Sequence, residues 1–221
     1  MKKIIVLFLT ILLVVYIYIK NIDDKIYYLS LGDSYACSMN YLGVLDYGYS
    51  EYIRDYLKEE KKLEKFVNAF AKSGYRSVDL LRDIVDNKEL NIDNNKLTLK
   101  QALIKADLVT LSIGTNDILS MTSLNMDDII INDAMNDLDE LLKTVREYCK
   151  EKIIAINYFN FYDNDIGKFA NEKYKELCAK YDIIYIDVSD LSNNNLYFPT
   201  SNIHPSKEGY EQIFKRILPY L

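Results

Sequence analysis

The sequence predicts an α/β fold built on a parallel sheet and preceded by a hydrophobic N-terminal segment. After Lys25, short apolar runs typical of buried strands alternate with stretches of helical periodicity, which indicates βαβ units. Four of the five predicted strands are near-continuous apolar runs, as expected where helices cover both faces of a sheet. With 221 residues, 49% of them hydrophobic, the chain can form one core of ordinary size. We therefore predict an N-terminal segment over 1–22 and a single domain over 23–221.

The N-terminal segment runs from Ile4 to Ile19, 16 residues of which only Thr10 is clearly polar. At about 1.5 Å per residue it reaches about 24 Å, slightly less than a hydrocarbon core of about 30 Å. A cleaved signal peptide and an uncleaved anchor both fit this pattern. Small residues usually mark a cleavage site, and none stands near Ile19. We expect an uncleaved signal anchor, with the basic end inside and the domain extracytoplasmic. Cleavage would make the protein secreted.

Five strands and six helices are predicted in the domain. The strands are Ile26–Leu31, Lys65–Phe70, Leu108–Ile113, Lys152–Asn157 and Ile183–Val188. The helices are Ser50–Lys61, Ser77–Asp86, Leu97–Ala106, Asp127–Cys149, Ile166–Lys180 and Ser206–Leu218. Residues Asn87–Asn95 are polar and rich in turn-forming side chains, so we expect them to form a surface connection.

Composition excludes some classes of function. A net charge of −6 without a basic stripe argues against nucleic-acid binding. The three cysteines have no metal-ligand spacing; a Cys149–Cys178 bridge is possible, but buried free thiols fit better. His204 is the single histidine, which excludes a multi-histidine metal site and assigns any imidazole chemistry to that residue.

Polar residues follow several strands at the points where those strands end. Gly32-Asp33-Ser34 follows the first strand, and a turn ending at Gly74 follows the second. Gly114-Thr115-Asn116-Asp117 follows the third, and His204-Pro205 stands in the loop after the fifth. The carboxyl ends of parallel strands share one edge of the sheet, where open α/β folds keep their active sites. We therefore expect these segments to meet.

In these four segments the sequence resembles the SGNH hydrolases, also called GDSL-type esterases and lipases. The resemblance covers the chain from about Tyr27 to Leu221. It implies a flavodoxin-like three-layer α/β/α fold with strand order 2-1-3-4-5. It also implies that Ser34 is the nucleophile, that Gly74 and Asn116 contribute to the oxyanion hole, and that His204 is the base. No metal or other cofactor is implied.

Elementary chemistry agrees with these assignments. Acyl transfer needs a nucleophile, a base within hydrogen-bond reach and donors aimed at the developing oxyanion. Gly74 can offer its N–H at close range because it has no side chain, and the Asn116 amide and the Ser34 N–H are further donors. Each residue also has a structural alternative: Gly74 can serve only as a turn residue, and Asn116-Asp117 only as a helix cap.

One position departs from the family pattern, which has an aspartate three residues before the histidine. Ser201 stands there in this chain. The Ser201 hydroxyl or a backbone carbonyl can orient the imidazole, Asp187 or Asp190 can reach in, or activity can have been lost. We favour the first alternative and expect a slow serine esterase.

The substrate of such an enzyme is open. An acetyl ester of an envelope polysaccharide and a lipid acyl ester fit an envelope location equally well. The alternative from another functional class is a binding module of the same fold without turnover.

Overall fold

The computed structural model describes residues 9–15, 25–121, 128–157, 165–199 and 203–221. Residues 9–15 are helical and exposed, whereas the rest of the predicted anchor lies outside the described residues. Among the described residues, no helix combines the length and apolar character needed to cross a membrane.

A five-stranded parallel sheet forms the centre of the domain, in the order β2-β1-β5-β6-β7. Its strands are β1 (Ile26–Gly32), β2 (Leu63–Val67), β5 (Leu108–Ser112), β6 (Lys152–Ile156) and β7 (Ile184–Ile186). The order is the one that the family resemblance implied. Strand β1 lies next to β5, with Gly32 opposite Ser112 at their carboxyl ends. This pairing places the segment with Ser34, which follows β1, beside the segment with Asn116, which follows β5.

Helices cover both faces of the sheet and produce three layers. Helices α1 (Tyr49–Glu59) and α7 (Lys207–Ile217) pack on the face that contains Tyr28 and Ile156. The other face contacts α2 (Ser77–Val85), α3 (Leu99–Lys105), α5 (Asp128–Tyr148) and α6 (Asp165–Lys180). Cys149 and Cys178 are buried as free thiols in that second layer. The predicted α/β/α architecture is therefore confirmed.

The polar connection predicted over Asn87–Asn95 is wrong in part. Strands β3 (Glu89–Ile92) and β4 (Asn95–Thr98) form an antiparallel hairpin whose turn contains Asp93 and Asn94, both at positive φ. Aspartate and asparagine tolerate that conformation better than most residues. Because β4 runs to Thr98, helix α3 begins at Leu99 and not at the predicted Leu97. The Thr98 side chain accepts a hydrogen bond from the Gln101 N–H and caps the helix.

Other elements also differ from the prediction, and β7, for example, ends at Ile186 rather than Val188. Strand β2 ends at Val67 rather than Phe70, because Ala71 N–H donates to the Asn68 carbonyl and turns the chain out of the sheet. A short helix that was not predicted, α4 (Thr115–Met121), follows β5 directly. Its first turn carries the candidate oxyanion residue Asn116.

Candidate active site

The turn that carries Ser34 is fixed by a close approach between two strands. Gly32 has φ +127°, and a Cβ on it would lie 1.9 Å from the Ser112 carbonyl oxygen. The Asp33 N–H donates to that same oxygen at 3.0 Å. A helical turn follows at once, because Cys37 N–H donates to the Asp33 carbonyl at 3.1 Å. Ser34 therefore stands at the carboxyl edge of the sheet, with its N–H among the first amides of a turn, where helical bonding leaves donors for other partners.

Asp33 supports this turn from within the protein. Its side chain is fully buried, and burial raises its pKa well above the usual carboxyl range, with the negative charge of Asp117 adding to the effect. Oδ1 accepts a hydrogen bond from the Tyr35 N–H at 3.2 Å. Oδ2 lies 3.4 Å from the Asn116 amide nitrogen. Asp33 thus connects the turn of Ser34 to the first turn of α4.

The segment that contains His204 lies beside the Ser34 turn. The Tyr35 hydroxyl donates to the Ile203 carbonyl at 2.6 Å, and the Tyr41 N–H donates to the Pro205 carbonyl at 3.2 Å. The rings of Tyr35 and His204 are 6.2 Å apart. Burial lowers the pKa of His204 below its usual value, which favours the neutral imidazole needed by a base. The residues next to Ser34 therefore hold the His204 segment in place.

Helix α7 fixes the other side of that segment. The Ser206 side chain caps α7 by accepting from the Gly209 N–H at 3.1 Å, and it donates to the Leu196 carbonyl at 2.6 Å. A Cβ on Gly209 would lie 2.4 Å from the Tyr197 carbonyl oxygen, so a glycine is needed at that contact. His204 therefore lies two residues before Ser206, the capping residue at the N-terminus of α7.

Gly74 and Asn116 lie near each other and near the end of β1. Gly74 has φ +81°, and a Cβ there would meet nothing within 4 Å among the described atoms. The Lys72 N–H donates to the Gly32 carbonyl at 3.0 Å and holds the Gly74 turn against the end of β1. The Asn116 amide donates to the Tyr75 carbonyl at 2.9 Å, next to Gly74. Its contact with Asp33 Oδ2 is longer, at 3.4 Å, so a ligand oxygen would compete with Asp33 for that second amide hydrogen.

The helix-capping alternative applies to Asp117 rather than to Asn116. Both carboxylate oxygens of Asp117 accept from the Ser77 N–H at 3.0 Å, at the start of α2. Burial raises the pKa of Asp117 to about 7, although the Ser77 hydrogen bonds act in the opposite direction. Since Asp117 caps a neighbouring helix, the amide of Asn116 is not needed for that purpose.

The candidates for a third member differ in their contacts. Both oxygens of Asp190 pair with Arg216, at 2.5 and 2.6 Å, and this pairing lowers the pKa of Asp190. Asp187 accepts a hydrogen bond from the Ser189 N–H at 2.9 Å. Ser201 lies outside the described residues. Asp190 is therefore engaged elsewhere.

Comparison with known proteins identifies the family of this chain. Residues 30–212 match the sequence model of the GDSL-like lipase/acylhydrolase family. The chain belongs to that family. As a member of this family, the protein is an ester hydrolase. No curated protein matches the chain by sequence.

Solved structures of similar fold come from several sources. The lipase Lip_vut3 from a goat rumen metagenome superposes with a TM-score of 0.67 at 19% identity, over 87% of this chain and 95% of that one. A catalytic mutant of Axe2, an acetylxylan esterase from Geobacillus stearothermophilus, gives a TM-score of 0.63 at 18% identity, over 87% and 92%. The psychrotrophic esterase EstA from Pseudoalteromonas sp., inhibited by monoethylphosphonate, gives 0.60 at 15%, over 87% and 94%. At these identities the likeness concerns the fold.

The structural roles of Asp33 and Asp117 were not predicted. Asp33 belongs to the Gly-Asp-Ser turn, but the sequence pattern does not reveal that its carboxyl points inward toward Asn116. The link between Asp117 and Ser77 joins residues 40 apart in the chain, and no local pattern signals it.

Asn116→Ala tests the oxyanion assignment. We expect kcat for p-nitrophenyl acetate to fall by about 10²–10³-fold while KM changes little, because the lost donor acts mainly on the transition state. Initial-rate kinetics, with circular dichroism as a check on folding, measure this. A raised KM with an unchanged kcat would mean that Asn116 contributes only to binding or structure.

Proposed function

We propose that this protein is a serine esterase that hydrolyses a carboxylic ester through an acyl-enzyme on Ser34. The observation that carries this proposal is the pair of hydrogen bonds, Tyr35 to Ile203 and Tyr41 to Pro205, that hold the His204 segment against the turn of Ser34. Contacts of Lys72 with Gly32 and of Asn116 with Asp33 bring the Gly74 and Asn116 segments to the same turn. A nucleophile between a base and oxyanion donors is the arrangement that acyl transfer needs.

In this mechanism the neutral His204 imidazole takes the proton of the Ser34 hydroxyl as its oxygen attacks the ester carbonyl. The N–H groups of Ser34 and Gly74 and the Asn116 amide stabilise the oxyanion. The carbon–oxygen bond to the alcohol then breaks, and imidazolium returns its proton to the leaving alcohol. Water, deprotonated by His204 in turn, attacks the acyl-enzyme and releases the carboxylic acid and free Ser34.

We favour a mechanism without a third carboxylate. The Asp190 carboxylate is engaged with Arg216, and Asp187 accepts a hydrogen bond from the Ser189 N–H at 2.9 Å. The remaining candidates for orienting the ring are a backbone carbonyl, the Ser201 hydroxyl and Asp187. Loss of a triad aspartate has lowered turnover by about 10⁴-fold elsewhere, so we expect modest rates.

Both ester classes suggested by the sequence have a counterpart among the similar structures. Axe2 is named an acetylxylan esterase and Lip_vut3 a lipase. A small acetyl ester and an ester with a longer acyl chain are therefore the substrate classes to compare. The competing proposal is a binding module that has kept this cleft without turnover.

Covalent labelling separates the enzyme from the binding module. The wild-type protein treated with an alkyl fluorophosphonate should gain one adduct, located at Ser34 by peptide mass spectrometry, and labelling should fall sharply in His204→Ala. A wild-type protein that neither takes up the label nor hydrolyses any p-nitrophenyl ester would be a binding module.

We also propose that residues 1–22 anchor the domain in a membrane with the domain on the extracytoplasmic side. Lys25 directly precedes β1, so the segment joins the domain at the amino edge of the sheet, opposite Ser34. An anchor there would leave the candidate site open to the surroundings. Full-length protein should remain in the membrane fraction with an intact N-terminus. Recovery of a processed chain from the growth medium would contradict the proposal.

A further inference from the structure

Beside the candidate active site, the chain exposes a run of apolar side chains. Leu42 is 69% exposed, Val44 55% and Leu45 61%, and Tyr41 is partly exposed next to them. We call residues 41–45 the apolar turn. The run contains no charged residue, and the remaining position, Gly43, has no side chain. Consecutive exposed apolar residues differ from the single ones that every surface carries, and they indicate contact with an apolar partner.

The backbone N–H groups of the apolar turn from Tyr41 to Val44 are hydrogen-bonded within the protein. Asn40 Oδ1 accepts from the Leu42 N–H at 2.9 Å and from the Val44 N–H at 3.2 Å. The Gly43 N–H donates to the Asn40 carbonyl at 2.9 Å, and the Asn40 N–H donates to the Val44 carbonyl at 2.9 Å. Covering this surface with an apolar group would therefore strip water from few unpaired amides, and the usual penalty for burying polar groups would be small.

The base of the turn is fixed by a buried carboxylate. Glu51 accepts hydrogen bonds from the Ser38 hydroxyl, from the Gly48 N–H at 2.9 Å and from the Asn68 amide at 3.2 Å. The Asp46 N–H donates to the Ser38 carbonyl at 2.9 Å and closes the loop. The apolar side chains are consequently presented on a preorganised support, which lowers the entropic cost of binding.

The start of the apolar turn lies close to both halves of the candidate site. The Tyr41 N–H donates to the Pro205 carbonyl, next to the proposed base His204. Two residues before the turn, the Met39 sulfur accepts from the Ser73 hydroxyl at 3.5 Å, next to the proposed oxyanion residue Gly74. A substrate carbonyl held at Ser34 would have this turn on its border.

We propose that the apolar turn binds an aliphatic chain carried by the ester substrate and makes the enzyme prefer long-chain esters over acetyl esters. The inference rests on the proposed esterase function and narrows its substrate class. The chain can belong to the acyl group or to the alcohol, since both extend from the carbonyl at Ser34. Leu42, Val44 and Leu45 are then specificity-determining residues.

The test compares kcat/KM for p-nitrophenyl octanoate and p-nitrophenyl acetate, at monomeric substrate concentrations, in wild type and in the double variant Leu42→Ser/Leu45→Ser. We expect the octanoate-to-acetate ratio to fall by about tenfold, because the chain loses apolar contact that the acetyl group never made. Octyl acetate against ethyl acetate, followed by acid release, repeats the comparison for the alcohol side. Loss of preference in either series supports the proposal.

Val85→Ser is the matched control, since Val85 is 61% exposed at the end of α2 and its replacement should leave both ratios unchanged.

If the wild-type protein hydrolyses esters but the double variant keeps both ratios, the turn does not bind substrate and the esterase proposal stands. Unchanged ratios with lost binding to phosphatidylcholine vesicles would assign the turn to a lipid surface. Unchanged ratios with a dimer converted to monomer would assign it to a second copy of this chain. Failure of the esterase itself would appear separately, as absent labelling of Ser34 in the wild type.

Discussion

Replacing Ser34 or His204 with alanine should lower kcat for p-nitrophenyl acetate by about 10⁴-fold or more. Nucleophile and base act as one unit, so removing either abolishes acyl-enzyme formation, and the double variant should be little worse than each single one. Stopped-flow or initial-rate assays on protein freed of contaminating esterases measure this. Such non-additivity would distinguish a working pair from two residues that affect activity separately.

Thr144→Ala provides a control for this pair. It removes an exposed hydroxyl on α5 that donates to the Glu140 carbonyl at 2.8 Å. We expect kcat to be unchanged in this variant. Retention of more than about a hundredth of wild-type activity in Ser34→Ala would contradict the assignment of the nucleophile, because the oxyanion donors alone supply much less.

The pH dependence of the same reaction reports on the surroundings of His204. The neutral imidazole is the active form, so kcat/KM should rise with pH and then level off. Burial lowers the pKa of His204, so the midpoint should lie below about 6.5, the ordinary histidine value. A carboxylate beside the imidazole would stabilise its charged form and move the midpoint above that value. A midpoint above about 6.5 would therefore show that Asp187 or another anion serves as the third member.

Where strands are buried on both faces, the sequence predicts the fold well. The strands that begin at Leu108 and Lys152 are mostly apolar, and each observed C-terminal boundary differs from the predicted one by one residue. The prediction for Asn87–Asn95 was less accurate, because β3 and β4 are short strands at the surface and carry polar side chains. In β3, Leu90 and Ile92 alternate with polar residues, but four residues are too few for this alternation to identify a strand, so only the turn at Asp93 and Asn94 gave a clear local signal.

The candidate site was predictable as a set of positions at strand ends but not as a network. The ends of β1 and β5 must meet once the strand order is known, and this brings Ser34 and Asn116 to the same edge. Which atoms pair there depends on contacts between distant residues. The Tyr35 hydroxyl reaches Ile203 across 168 positions in the chain, and no spacing rule anticipates that bond. The apolar turn was missed for a related reason, since exposure of Leu42 depends on the whole fold.

Gly32 joins the sheet to the Ser34 turn, and Gly32→Ala should lower the free energy of unfolding by about 3–5 kcal/mol. A Cβ there would lie 1.9 Å from the Ser112 carbonyl oxygen, a backbone atom of β5 that cannot rotate away. The residue also has φ +127°, which side-chain-bearing residues rarely adopt. Since domains are stable by about 5–15 kcal/mol, such a loss is large.

Urea unfolding of Gly32→Ala beside Gly43→Ala separates these two effects. Gly43 also has positive φ, at +75°, but a Cβ there would meet nothing within 4 Å among the described atoms. Gly43→Ala should therefore cost only the conformational strain, about 1–2 kcal/mol. Equal losses of unfolding free energy in the two variants would mean that the contact with Ser112 does not matter.

If Gly32→Ala still folds, relief of the collision must separate β1 from β5 and break the Asp33–Ser112 hydrogen bond. Ser34 would then move away from Asn116, and ester hydrolysis should be lost before the fold is.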